Sequence, residues 1–192
     1  MATRPIAATR SSAGLPTGRL GVWWVIASEI VIFGGLLASY IMHRLAHDAW
    51  TAQAAHTNTK VGAFNTLVLL TSSLSAVLAH KAAEVEHDGP KAGKLLLATI
   101  GGGATFLTVK FFEWSHEIAA GFTITSSTFW SFYYTAAGLH AMHVLAGMVI
   151  LAFVAADAFR GRELHRVELI GIYWHFVDII WIFLFPLLYI AK

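Results

Sequence analysis

The residues of this chain best suited to chemistry lie where water should be scarcest. Near the C-terminus, the run Tyr173-Trp174-His175-Phe176-Val177-Asp178-Ile179-Ile180-Trp181 sets a histidine and a carboxylate into an otherwise apolar stretch. Ionisable groups in such a setting cost free energy unless they are paired or used. His175 and Asp178 are three residues apart, as are His140 and His143, and that spacing puts both members of a pair on one helix face. Asp178 is therefore expected to accept the ring N–H of His175 and fix its tautomer, as carboxylates do for structural and catalytic histidines alike. Glu29 is a further acid of this kind, but its neighbours three and four residues away are Val25, Ile26, Ile32 and Phe33, so no partner stands on its own helix.

Lys110, Glu113 and Glu117 form a second group, spaced three and four apart, which predicts an ion-paired helix face. Glu113 and His116 also form a Glu-x-x-His pattern. Di-iron carboxylate bundles need two such motifs plus two further glutamates, and inside the apolar runs this one stands alone. The histidines do not compose a haem or copper site by pattern either. His80 sits near a helix end, away from the depth of His140 and His143, a His-x-x-His pair lacks a third ligand, and there is no cysteine to hold copper. No catalytic residue, metal or cofactor is expected in the chain itself.

The elements that must hold these residues are helices in lipid. Of 192 residues, 57% are hydrophobic and 12% charged, against about 25% charged in an ordinary soluble domain. A spanning helix needs about 20 mainly apolar residues, and five segments qualify: Leu20 to His43, Val61 to Ala82, Lys94 to His116, Thr128 to Phe159 and Glu168 to Ile190. The expected fold class is all-α, an integral membrane bundle of five transmembrane helices over residues 19–192, behind a solvated tail, residues 1–18. The loops are too short for a second domain, and no internal period suggests an inverted repeat. The tail has the Arg, Ser, Gly and Pro of a transit peptide and no acid, but a solvated tail is the simpler reading.

The formal charge of +2 and the pI near 9 do not indicate nucleic acid, because the basic residues sit at helix ends rather than in a stripe. Nine fall on one side of the expected membrane (Arg4, Arg10, Arg19, Lys81, Lys91, Lys94, Arg160, Arg162, Arg166) and three on the other (Arg44, Lys60, Lys192). The positive-inside rule then predicts a cytoplasmic N-terminus and an external C-terminus. In that frame Glu29 lies roughly 13 Å below the cytoplasmic end of its helix, and His175 and Asp178 lie at a similar depth. His140 and His143 are somewhat deeper but within reach if their long helix tilts. One polar layer in the cytoplasmic half is expected, with Lys110, Glu113 and Glu117 toward the external end.

Two kinds of role are open for that layer. Interhelical hydrogen bonds that glue the bundle are the commoner use of His and Asp in membrane helices; proton relay, lipid headgroup binding and support of a partner's proton path are the others. Gly34-Gly35, Thr71-Ser72-Ser73 with Ser75, Gly101-Gly102-Gly103, and Gly138 with Gly147 are expected to let helices approach closely. Trp23, Trp24, Trp114, Trp130, Tyr133, Tyr134 and Tyr189, near segment ends, are expected to form an interfacial belt.

Five blocks, in order, resemble subunit III of the haem-copper respiratory oxidases. They are Ser28-Glu29 with Phe33; Asn65-Thr66 with Leu69-Leu70 and Ser72-Ser73; Glu113-Trp114; Gly138-Leu139-His140-x-x-His143-Val144 with Gly147; and Tyr173-Trp174-His175-Phe176-Val177-Asp178 with Trp181 and Phe183. The resemblance runs from Gly21 onward and implies a non-catalytic subunit beside the haem and copper subunit of a terminal oxidase in a bacterial inner membrane. It implies haem and copper in partner subunits, subunit I and subunit II with further small subunits as partners, and bound phospholipid. It also implies support for proton uptake and for the stability of the catalytic subunit, with Glu29, His140, His143, His175 and Asp178 matching the family's intramembrane polar residues. The chain has no counterpart of the first two helices of seven-helix members, so one wall of their lipid cleft would be missing or supplied by another subunit. The equivalent subunit of a quinol oxidase and an accessory protein of nitric oxide reductase are alternatives within reach of the same motifs. From other classes come a stand-alone haem or iron oxidoreductase and a small transporter passing protons through Glu29 and the histidine pairs.

Overall fold

The structure, a computed structural model, describes residues 17–46 and 50–191. In chain order these form α1 (Thr17–Ala46), α2 (Trp50–Ala54), α3 (Thr59–Glu84), α4 (Gly89–Ala119), α5 (Thr128–Phe159) and α6 (His165–Phe185), the last continued by a π-helical turn, Pro186–Ile190. All but α2 are long and apolar enough to cross a membrane, counting α6 together with its π-turn, so the expected five-span, all-α architecture holds. The expected tail lies outside the described residues, as do Arg4, Arg10 and Lys192, except that Thr17 and Gly18 already belong to α1. The short α2 in the first loop has no apolar periodicity to announce it.

Side-chain caps begin three of the helices by occupying backbone N–H groups that have no partner in the first turn. Asn58 accepts from the amides of Lys60 and Val61 at the start of α3, Asp88 from Lys91 at the start of α4, and Ser127 from Trp130 at the start of α5. The chain then reverses after α4 and after α5 at Gly121 (φ +90°) and Gly161 (φ +65°), conformations that a Cβ would strain. Arg19, Lys91 and Arg166 thereby gather at one end of the bundle, termed the basic end below.

α3, α4, α5 and α6 form the body of the bundle, and α6 touches α1, α3 and α5. α1 flanks this body and buries Ile26, Phe33 and Tyr40, a seven-residue repeat that makes a narrow seam. Since lipid offers no hydrophobic drive for helix association, close approach and polar contacts must hold the bundle together. A Cβ on Gly103 would stand 2.8 Å from the Trp174 ring, and one on Gly147 would stand 3.0 Å from it. These two glycines thus make the slot that receives the indole, whose N–H donates to Ser72 Oγ (3.1 Å). Ser75 Oγ meets Thr99 Oγ1 at 2.7 Å across α3 and α4. The expectation fails at Gly34, Gly35 and Gly101, where a Cβ would meet nothing within 4 Å, and is marginal at Gly138, where the nearest atom is 3.9 Å away.

The aromatic belt also needs correcting. Trp23 and Trp24 face outward, 59% and 71% exposed, but Trp130, Tyr133 and Tyr189 are wholly buried: Trp130 donates to Gln53 of α2, and the two tyrosines accept from Lys110. The π-turn explains Tyr189. Pro186 carries no N–H, and the Ala191 amide reaches back to the Pro186 carbonyl (2.7 Å), which widens the last turn. Its carbonyls at Leu187, Leu188 and Tyr189 accept from Tyr40 (2.6 Å), Thr57 (3.3 Å) and Thr59 (2.9 Å) respectively, so the turn is pinned from α1, the first loop and α3.

Candidate functional site: separate polar centres inside the bundle

The single polar layer expected from helix depths is resolved into distinct centres. In the first, Glu29 of α1 faces His143 of α5, with Oε2 and Nε2 3.1 Å apart and both side chains mostly buried. His143 Nδ1 lies 2.7 Å from the Leu139 carbonyl; a carbonyl only accepts, so Nδ1 carries a proton and Nε2 is left to Glu29. The pair stands at ion-pair distance, off the line required for a hydrogen bond, since Glu29 Oε2 has no hydrogen-bond partner among the described residues. Tyr173 of α6 donates to the His143 carbonyl (3.3 Å) and Phe33 packs edge-on against its ring. Glu29, without a partner on its own helix, thus finds one on α5 at matching depth.

His140 has a different fate from His143, three residues away. Its ring is completely buried, stacked on Trp181 (5.0 Å) and edge-on to Phe106 (5.3 Å), and neither nitrogen has a hydrogen-bond partner among the described residues. In this aromatic cage it serves as a shape more than as a donor.

The expected hydrogen bond between His175 and Asp178 does not form. His175 Nδ1 pairs with Ser73 Oγ of α3 at 2.6 Å, while both oxygens of Asp178, which is 4% exposed, have no hydrogen-bond partner among the described residues. The imidazole meets a hydroxyl on the facing helix, which a reading of one helix face cannot supply. The same hydroxyl stands beside the Asp178 carboxyl, so Ser73 links two groups that do not touch each other.

Lys110, Glu113 and Glu117 are not on an outer face. Lys110 is 1% exposed, and its ammonium donates to Glu113 (2.9 Å), Tyr133 (3.1 Å) and Tyr189 (2.6 Å). Tyr189 donates in turn to the other Glu113 oxygen (2.8 Å). The rings of Trp114, Tyr133, Trp181 and Tyr189 surround the ammonium at 4.8–5.6 Å from their centroids, a cation–π cage. Glu117 is buried nearby but its carboxylate makes no hydrogen bond or ion pair among the described residues. The two tyrosines were not recognisable from spacing, since they come from α5 and the π-turn; their shared depth with Lys110 was the only signal.

None of these arrangements brings together a nucleophile, a base and an oxyanion site. Among the described residues no group of three or more His, Asp or Glu is placed to hold a metal ion, and Glu113, the acid of the Glu-x-x-His pattern, is occupied by Lys110 and Tyr189. What the centres offer is charge pairing and positions where a proton can reside.

A model of the family described as cytochrome c oxidase subunit III matches residues 9–192. The chain belongs to the cytochrome c oxidase subunit III family. It is 33% identical to a cytochrome c oxidase subunit 3 of Corynebacterium diphtheriae, over 87% of this chain and 84% of that protein. It is 33% identical to a haem-copper oxidase subunit I+III of Aeropyrum pernix, over 90% of this chain, but spans only 22% of that much longer protein. It is also 30% identical to a cytochrome bo(3) ubiquinol oxidase subunit 3 of Pseudomonas putida, over 89% of this chain and 84% of that one. With five spans, this member of the subunit III family is a multi-pass membrane protein.

Proposed function

We propose that this subunit III family member is an accessory, non-catalytic subunit of a haem-copper terminal oxidase, in which oxygen reduction and proton pumping are done by its partners. The observation that carries the reading is the family match along nearly the whole chain. The fused subunit I+III of Aeropyrum pernix supports a subunit I-type chain as the direct partner. Haem and copper then belong to the partners, with subunit II and smaller subunits completing the complex. The asymmetry of lysine and arginine supports a cytoplasmic basic end in a bacterial inner membrane, and the exposed apolar faces of the five helices support bound phospholipid. The role assigned to Glu29, His143, His175 and Asp178 is support of proton uptake and of the working lifetime of the catalytic subunit.

Affinity purification of the tagged chain from its own membranes in mild detergent tests this. The expected result is co-purification with a haem- and copper-bearing partner, and Glu29→Gln should leave the haem spectrum unchanged while altering proton uptake or operational lifetime. A chain that purifies alone with stoichiometric haem or iron, or that passes protons by itself in liposomes, would overturn it. The 30% identity to a ubiquinol oxidase subunit supports a second reading with a quinol donor; a copper-bearing cytochrome c docking subunit in the purified complex excludes it.

A further inference from the structure

The facing sides of α3 and α6 carry a file of protonatable groups that leads inward from the basic end. On α3, Glu84, His80 and Ser73 are spaced four and seven residues apart, which keeps them on one face; on α6, His175 and Asp178 stand opposite. Glu84 Oε2 and His80 Nε2 are 2.8 Å apart, with side chains 61% and 37% exposed, so the mouth is open to water. His80 and His175 are near enough to interact electrostatically, and proton transfer between them requires a bridging water. His175 then meets Ser73 (2.6 Å), and Ser73 stands beside Asp178, whose two oxygens are buried without a partner. Beyond Asp178 the line closes at Trp181, whose indole N–H is held by Thr66 Oγ1 (3.0 Å).

We propose that this file is a one-ended proton conduit and that Asp178 is its storage site. The Asp178 carboxyl is buried without a counter-charge and has the Ser73 hydroxyl beside it, so a proton can be delivered to it and held there. Loading is a balanced exchange of one proton and no electrons. The Ser73 O–H bond breaks as an O–H bond forms on Asp178, Ser73 takes the proton of His175 Nδ1, and the imidazole is reprotonated at Nε2 through the water shared with His80. Unloading is the reverse. The other ionisable groups packed on α6 are already engaged: Arg19 with Glu168 at the mouth (2.6 Å), Arg166 with Asp157 (3.0 Å), Lys110 with Glu113 against Trp181, and Glu29 with His143. The last pair contacts Tyr173, two residues from His175 and therefore about 200° around the helix.

Infrared spectroscopy of the full chain in its native complex, at neutral pH in H2O and D2O, tests this without reference to oxidase activity. Failure would therefore leave the subunit assignment standing. The wild type should show a carboxylic-acid C=O band that Asp178→Asn removes. Ser73→Ala should keep the band but slow its hydrogen–deuterium exchange about tenfold or more, the effect of adding one hydrogen bond's worth of barrier, and Ser73→Thr should restore the rate. His80→Gln should slow it less, since water can replace a ring at the mouth. A band unchanged by Asp178→Asn, or exchange in Ser73→Ala as fast as in the wild type, would overturn the proposal.

Discussion

Glu113 and Asp178 are both acids buried in spanning helices, and they are treated in opposite ways. Each oxygen of Glu113 has a donor, one from Lys110 and one from Tyr189; neither oxygen of Asp178 has any among the described residues. The first arrangement fixes a charge pair by surrounding it with partners from α4, α5 and the π-turn. The second leaves the carboxyl without a counter-charge, beside a hydroxyl through which a proton could pass. Burial alone therefore does not distinguish a structural acid from an exchangeable one; the donors around it do.

The comparison can be broken most forcefully at Lys110. Lys110→Ala strands the Glu113 charge and should cost about 3–5 kcal/mol, the usual loss when one partner of a buried pair is removed, seen as a large drop in thermal stability in detergent. The double change Lys110→Met with Glu113→Gln should recover most of that loss, since replacing the whole pair is far milder than halving it. Tyr189→Phe removes the hydroxyl shared by both charges and should cost about 1.5–3 kcal/mol, as for hydrogen bonds to charged groups. Tyr133→Phe removes the longer of the two tyrosine bonds to Lys110 (3.1 Å) and a hydroxyl contact to Tyr189 (3.0 Å), and should cost about 1 kcal/mol in the same thermal assay. Asp178→Asn sharpens the contrast from the other side: with no ion pair to break, it should cost about 1 kcal/mol, the ordinary cost of a single substitution. A loss at Asp178 as large as that at Lys110 would mean the two acids are held alike.

Much of the fold was legible because its information is local. Five apolar runs give five spans. The π-turn is less visible, since Pro186 indicates a break but not the widened turn that follows. The polar centres were legible as residues and not as pairs. Helix spacing correctly joined Lys110 to Glu113, three apart, but also joined His175 to Asp178, where a serine on α3 competes successfully for the imidazole. Depth along the helices brought Glu29 toward His143 but could not show that His140, one turn away, would turn into an aromatic cage. Partners on other helices depend on rotation about each helix axis, which sequence encodes only through the packing of every neighbour at once. Gly34 and Gly35 are the converse case: small residues that look like a packing device, yet an added Cβ there would meet nothing within 4 Å among the described residues.

The order of residues around Lys110 bears on how the protein is made. Helices emerge during synthesis in chain order, so α4 reaches the bilayer ahead of α5, which carries Tyr133, and well ahead of Tyr189. Its lysine does not enter alone, because Glu113 sits one turn away on the same helix and the two cancel before any neighbour arrives. Tyr133 follows with α5, and the enclosure closes only when the π-turn docks on Tyr40, Thr57 and Thr59. The π-turn thus seals a centre begun two spans earlier.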